Sequence, residues 1–365
     1  MIKINRHQRH QNFLWLFFLP VLISIIGVFF VFEASSVRSF NEFGESFHYL
    51  KLQIVWIGLG MLVMMFMSFF NYHKLYYLAF FIMSVTIGLL FLVLLPGLGH
   101  QAGGARRWFD LGFFSLQPTE LAKLSAVIYL SSWFISREKK RFFSFMILIG
   151  LLMFLIILQP DMGTATIIFF ISIAVYFLAG IELHYLLLLI PGAVAFFFFL
   201  IKISPYRARR LLGFFDPNLD PLGITYHINQ ISISLSSGGI FGRGFGASRQ
   251  KYLFLPEAHT DSIFAIIGEE IGFIGCFLLI ILFFLLCHRI YKAIFLAPDR
   301  FGRLLAGGIF SFFNFQIIIN LGAMVNLIPL TGVPLPFISY GGSALLVEMA
   351  SVGIMLNISS QERKE

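Results

Sequence analysis

The chain has 365 residues, of which 58% are hydrophobic and only 12% charged, with 47 phenylalanines and a formal net charge of +8. A soluble domain carries roughly 25% charged residues, so most of this surface does not face water and a soluble globular fold is excluded. The two cysteines, Cys276 and Cys287, share one apolar stretch and suggest neither a disulfide framework nor a metal site.

Charge-poor windows near the ~20 residues needed to cross a bilayer recur at 13–34, 50–70, 74–95, 117–135, 143–159, 162–180, 184–201, 260–287, 303–325 and 335–357. They predict an all-α polytopic membrane protein with ten transmembrane helices. The first window follows "MIKINRHQRHQ", is long and ends in "VFEASSV" without a small-residue cleavage site, so it reads as an anchor and not as a removed signal peptide. With ten spans both termini share one side. The N-terminal segment, Lys74, the "SREKKR" loop, the loop with Arg289, Lys292, Arg300 and Arg303, and the tail carry 14 basic residues. The opposite short loops hold Arg38, Lys51, Arg106 and Arg107, so the positive-inside rule places both termini in the cytoplasm. Residues 202–259, between the seventh and eighth windows, are then a large extracytoplasmic loop. It carries Lys202, Arg207, Arg209, Arg210, Arg243, Arg249 and Lys251. Long translocated loops count little toward topology, so this charge has another use, either against anionic lipid headgroups or as a surface for a phosphorylated, anionic substrate.

Several charges stand where hydrocarbon makes them costly. The fourth window begins "SLQPTELAKLSAV", with Pro118 suited to the first helical turn and Glu120 and Lys123 on one face at i,i+3. A pair that orients the helix and a part in an active cavity are both compatible with that spacing. Asp161, in "QPDMGTA", is expected to cap a helix start. In front of the eighth window and then inside it, "FLPEAHTDSIFAIIGEE" brings Glu257, His259, Asp261, Glu269 and Glu270 together. Thr260 is the expected N-cap and Asp261 the expected first-turn acid, a setting that suits a charge partner better than a general base. Glu269 and Glu270 then lie roughly 12–14 Å deeper at ~1.5 Å per residue, as ion-pairing groups in the bundle or as a proton or ion path.

Glycine-rich runs at 100–112, 236–261 and 329–346 permit broken or re-entrant backbone, tolerable at membrane depth only under protein or beside a watery cavity. The GxGxG-like string in the second run lacks a preceding strand and supports no nucleotide site. Its backbone N–H groups beside Arg243, Arg249 and Lys251 are suited to cradle a pyrophosphate.

The runs "GGARRWFDLGFFSLQPTELAKL", "QPDMGTA", "GGIFGRGFGASRQKYLFLPEAHTDSIFAIIGEEIGFIG" and "PLTGVPLPFISYGGSALL" resemble the signature segments of the SEDS family, the shape, elongation, division and sporulation proteins. Ala258, between glutamate and histidine, makes the third run more similar to the division-type member than to the elongation-type one. The resemblance spans about 13–357 and treats 1–365 as a single membrane domain. It implies a peptidoglycan glycosyltransferase that polymerises lipid II at the bacterial cytoplasmic membrane, at the division septum. The implied partners are a class B penicillin-binding transpeptidase, divisome proteins and membrane lipids, with no nucleic acid. Carried over by motif, Asp261 is the catalytic acid and Glu120 and Lys123 are a cavity pair. Arg209, Arg210, Arg243, Arg249, Lys251 and His259 are substrate-binding candidates, and Asp161, Glu269 and Glu270 structural or cavity residues. No cofactor is required by this pattern. A divalent cation, Mg or Mn, is compatible with it, although the sequence shows no compact ligand set. A lipid II flippase or other transporter is the chief alternative, since intramembrane acids and broken helices serve alternating access too, but no inverted repeat is apparent. A recruiting scaffold leaves the surroundings of Asp261 unexplained.

Overall fold

Backbone in hydrocarbon must satisfy its own hydrogen bonds, and the apolar windows do so as helices. The computed structural model describes residues 6–102, 105–110, 112, 114–135, 142–180, 205–216 and 219–361. Among these the helices are α1 (Arg6–Phe43), α2 (His48–Phe69), α3 (His73–Leu92), α4 (Pro118–Trp133), α5 (Phe142–Leu158), α6 (Met162–Leu178), α7 (Pro205–Phe215), α8 (Tyr226–Gly238), α9 (Ile263–Leu296), α10 (Arg300–Met324) and α11 (Gly342–Ser360). Six of them, α1, α2, α3, α9, α10 and α11, are long and apolar enough to cross a membrane, while α5 and α6 are apolar but shorter. The protein is an all-α polytopic membrane protein. The window 184–201, Lys202 and the "SREKKR" loop lie outside the described residues, as do the side chains of Arg207 and Arg210.

The exception to helix is a small antiparallel sheet of β1 (His100–Ala102), β2 (Ala105–Asp110) and β3 (Ser115–Leu116), in that order. The first glycine-rich run, read as permitting broken or re-entrant backbone, forms strands. Arg107 ties the sheet to the start of α6, donating from Nε to the Gln159 carbonyl at 2.7 Å and from Nη2 to that of Pro160 at 2.6 Å.

Burial shows which helices form the centre. In their most apolar windows, α10 and α11 are 72% and 78% buried against 28% for α2 and α3, which present themselves to lipid. Lipid gives no hydrophobic drive between helices, so contact depends on close approach. At Gly27 of α1 an added Cβ would lie 2.6 Å from the Phe337 carbonyl, so only glycine lets α1 lie directly on the chain between α10 and α11. That chain, residues 329–341, shapes the site.

Candidate active site

Pro329, Pro334 and Pro336 lack backbone donors and keep residues 329–341 from continuing α10 as helix. The segment is laid instead against the turn before α9. Tyr340 N donates to the His259 carbonyl at 2.9 Å, and Ser339 Oγ to that of Thr260 at 2.5 Å. Asn320 Nδ2 of α10 donates to the carbonyls of Asp261 at 2.9 Å and Val333 at 2.8 Å. Three successive carbonyls, 259 to 261, are thus taken by groups outside their own segment. A capping residue gives its carbonyl to the first turn of its helix, whereas here the Thr260 carbonyl accepts from Ser339. The helix begins at Ile263, with Ser262 in the cap position. This corrects the expectation for both residues: Asp261 precedes the helix, and its main chain is fixed by α10. Its side chain is half-buried, with Oδ1 accepting from Thr260 Oγ1 at 3.3 Å and Oδ2 facing Gly332, where a Cβ would stand 3.6 Å away.

Deeper in α9 the two glutamates serve the glycine-rich loop. Gly272 takes φ 67°, ψ −165° and breaks the helix. The orphaned helical groups are met by the loop: Arg243 N and Gly244 N donate to the carbonyls of Glu269 and Glu270 at 3.0 Å each, and Phe273 N and Ile274 N donate to those of Gly239 and Ile240 at 2.9 and 3.2 Å. A Cβ on Gly242 would run into the Glu270 carbonyl. The Glu269 carboxylate continues the clamp, accepting from Ser248 Oγ at 2.6 Å and from the amides of Arg249 at 3.1 Å and Gln250 at 3.3 Å. Glu270 and Glu33 of α1 flank Lys251 Nζ at 3.2 and 2.8 Å, with the lysine side chain only 7% exposed. Burial opposes the charge on Lys251, but the Glu33 hydrogen bond and the two carboxylates outweigh it and hold its pKa above the ordinary lysine value.

The loop cations therefore differ in setting. Arg243 Nη1 lies 3.6 Å from Glu269 Oε1 and its Nε donates to the Ser237 carbonyl at 3.2 Å. Arg209, Arg243 and Arg249 are all exposed, while the Arg210 side chain lies outside the described residues. His259 is buried, and that desolvation, followed by the Arg38 charge, lowers its pKa to about 4.

The charges of α4 form a second network. Pro118 starts the helix, and Lys123 Nζ lies 2.7 Å from Glu120 Oε2, with side chains 0% and 3% exposed. Lys123 also donates to Gln316 Oε1 at 2.7 Å, and Gln316 Nε2 donates to the Pro334 carbonyl at 3.1 Å and to Glu348 Oε1 at 2.9 Å. The other Glu348 oxygen accepts from Phe337 N at 2.8 Å. The network thus ends on the segment that holds the carbonyls of His259 and Thr260, just ahead of Asp261. Asp161 caps α6 by accepting from Thr164 N at 3.0 Å, and Thr119 Oγ1 of α4 donates to it at 3.2 Å.

Sequence reasoning passed over Glu33, Gln316, Asn320 and Glu348. A glutamate inside the window 335–357 carries the same signal of cost that singled out Lys123 and could have been found; the two amides give no such signal. Among the described residues no three His, Cys, Asp or Glu side chains converge to hold a metal ion.

Comparison with known proteins agrees with this architecture over nearly the whole chain. The FtsW/RodA/SpoVE model, described as a cell cycle protein, matches residues 13–364. Stage V sporulation protein E of Bacillus subtilis is 38% identical over 357 residues, covering 96% of this chain and 97% of that protein. The probable peptidoglycan glycosyltransferase FtsW of Geobacter metallireducens is 36% identical over 365 residues, covering 98% and 97%. One chain of a structure on the coordination of polymerization and crosslinking by a peptidoglycan synthase complex superposes with a TM-score of 0.77 at 30% identity, covering 94% of this chain and 96% of that one. The rod shape determining protein RodA of Thermus thermophilus gives 0.69 at 29% identity, covering 95% and 97%. Four motifs in order, the pinned aspartate and a match over residues 13–364 place the chain in the FtsW/RodA/SpoVE cell cycle protein family, the SEDS family.

Proposed function

We propose that the protein is a peptidoglycan glycosyltransferase of the division type, which joins lipid II units into β-1,4-linked glycan at the outer face of the cytoplasmic membrane, at the septum. In this reading ten spans leave both termini in the cytoplasm, and residues 202–259 lie outside. A class B penicillin-binding transpeptidase is the partner that cross-links the product. The observation that carries the proposal is Asp261, half-buried and fixed through its main chain by Asn320, within a chain similar throughout to probable peptidoglycan glycosyltransferases.

The reaction inverts an α-linked donor. The 4-hydroxyl of the acceptor sugar attacks the anomeric carbon, a C–O bond forms as the bond to phosphate breaks, and the pyrophosphate leaves with the electron pair. Asp261 takes the hydroxyl proton or holds that hydroxyl in line. A rigid main chain favours this, because a carboxylate positioned before substrate arrives needs no reorganisation in the transition state. Arg209, Arg243 and Arg249, being exposed, are the cations placed to meet the pyrophosphate, with Arg210 beside Arg209 in sequence. Arg243 contributes from its position beside Glu269, whereas Lys251, already flanked by two carboxylates, orders the loop that presents the others.

The test is polymerisation of lipid II in detergent by the purified protein with an inactive cognate transpeptidase. Detergent removes sidedness, so a transporter forms no product there. Glycan strands from wild type support the enzyme; none from a properly assembled complex, together with lipid II movement across sealed vesicles, supports the flippase.

A further inference from the structure

α1 and α9 run past each other in opposite directions and are joined near both ends. At one end Lys251 bridges Glu33 of α1 and Glu270 of α9. At the other, Arg289 of α9 sets its guanidinium over the Trp15 ring of α1, 4.8 Å from the ring centre. Trp15 precedes Glu33 by 18 residues, about 27 Å at the helical rise, so the two joints stand at opposite edges of a hydrocarbon layer roughly 30 Å thick. The first joint is neutralised by its own carboxylates. The second is not.

No acid stands in residues 1–32, and between 271 and 303 the one acid is Asp299. It is taken up by His73 Nε2 at 2.5 Å and by the Gly302 amide at 2.6 Å. Among the described residues neither Arg289 nor Lys292, exposed one turn further along α9, forms an ion pair. The guanidinium is nonetheless held in place. Its Nε is buried, which seats the group against the protein, while the two Nη nitrogens reach the surface and take no hydrogen bond among the described residues. A guanidinium lying flat on an aromatic ring keeps that edge free for the paired bonds that fit a phosphate. Gln11, exposed one turn before Trp15, adds an amide donor. In the other direction Phe18, Leu22 and Ile25 continue the Trp15 face of α1 as an exposed apolar strip. Unmatched positive charge at the membrane edge, an interfacial tryptophan and an apolar strip reaching into the hydrocarbon together have the polarity of a phospholipid. A soluble anion would use the charge and leave the strip unused.

We propose that the seam between α1 and α9 holds one anionic phospholipid, its phosphate on Arg289 and Lys292 and an acyl chain along Phe18, Leu22 and Ile25. In the ten-span reading this end is cytoplasmic, so the lipid comes from the inner leaflet; the leaflet rests on that reading and the site does not. The lipid takes no part in the chemistry given to Asp261. It braces the two helices whose far ends grip Lys251 and, through it, the glycine-rich loop.

The experiment is native mass spectrometry of the detergent-purified full chain titrated with dioleoyl phosphatidylglycerol, with zwitterionic dioleoyl phosphatidylcholine as control. Wild type is expected to retain phosphatidylglycerol in preference, and Arg289→Gln to lower that preference about fivefold, the worth of one cation near a membrane surface. Lys292→Gln, at an exposed position, decides the matter if Arg289→Gln melts early. Lys74→Gln removes another exposed cation, one that lies 5.6 Å from the centre of the Phe70 ring, and should leave the preference unchanged. Tighter retention of cardiolipin than of phosphatidylglycerol assigns one phosphate to each cation; equal retention assigns a single phosphate to both, and either supports the site. Equal uptake by wild type and Arg289→Gln, or an equal loss in Lys74→Gln, overturns it. Unchanged uptake in Arg289→Gln with loss of a co-purifying transpeptidase also overturns it and gives the seam to a partner helix. Detergent has no leaflets, so the outcome is independent of topology, and failure of the glycosyltransferase reading would show separately, as absence of polymer from wild type.

Discussion

Asn320 and Asp261 are joined side chain to main chain, by a 2.9 Å hydrogen bond that crosses from α10 to the turn before α9. The same amide holds Val333, so one residue sets the spacing between the candidate catalytic turn and the segment facing it. Asn320→Leu leaves both carbonyls without this donor, at about 1–3 kcal/mol for each buried group left unpaired. We expect a lowered melting temperature together with a fall in turnover larger than any change in KM. Unchanged turnover in a folded variant would mean that Asp261 needs no such support.

Asp261→Asn keeps size and most hydrogen bonding but removes the charge and basicity of the carboxylate. Glycan output in the detergent assay should drop by at least ~10²-fold, within the range for a general base, with the melting temperature held. Near-normal output from well-purified protein would remove Asp261 from the chemistry.

For Glu120 and Lys123, both buried, loss of either partner strands the other charge, a cost of about 3–5 kcal/mol. Each alanine variant should therefore be severely destabilised and the double variant less so than the sum. A double-mutant cycle on unfolding in detergent measures the difference. Strict additivity would show that the ammonium is supported by Gln316 alone.

Glu269→Ala removes the acceptor of the Arg249 and Gln250 amides and of the Ser248 hydroxyl. Hydrogen exchange at residues 248–251 should accelerate while the α10 and α11 amides stay protected. Unaltered exchange in the loop would locate its rigidity in the backbone bonds to α9.

The neutral His259 gives stability a defined pH dependence. Its pKa is about 4 in the folded protein and 6.5 in the ordinary case, so as pH falls the unfolded chain binds the proton first. The contribution is complete above about 6.5 and is lost between there and about 4. Wild type should lose more melting temperature from pH 7.5 to 5 than His259→Phe does, and parallel curves would show that folding leaves the imidazole at its ordinary pKa.

Much of this was legible in the sequence where both partners of an interaction lie in one element. Pro118, Glu120 and Lys123 sit within two turns, and the pair follows from helical spacing and the cost of lone charge. Glu33 with Lys251 and Asn320 with Asp261 are 218 and 59 residues apart, and no local pattern announces them. Thr260 illustrates the converse. Its residue type is right for a cap, but tertiary bonds to the carbonyls of 259–261 override the local preference and move the helix start to Ile263. The sheet at 100–116 was hidden because glycine marks any irregular or re-entrant backbone and does not single out a strand.

The break at Gly272 has a consequence for anyone exchanging parts between members of this family. Residues 239–244 complete the hydrogen-bond ladder of a helix to which they do not belong, so helix and loop form a lock and its bolt that travel as a unit. A chimera that imports the loop without Gly272, or straightens α9 while keeping the loop, strands polar backbone among packed helices and should fail at membrane insertion, before any question of catalysis arises.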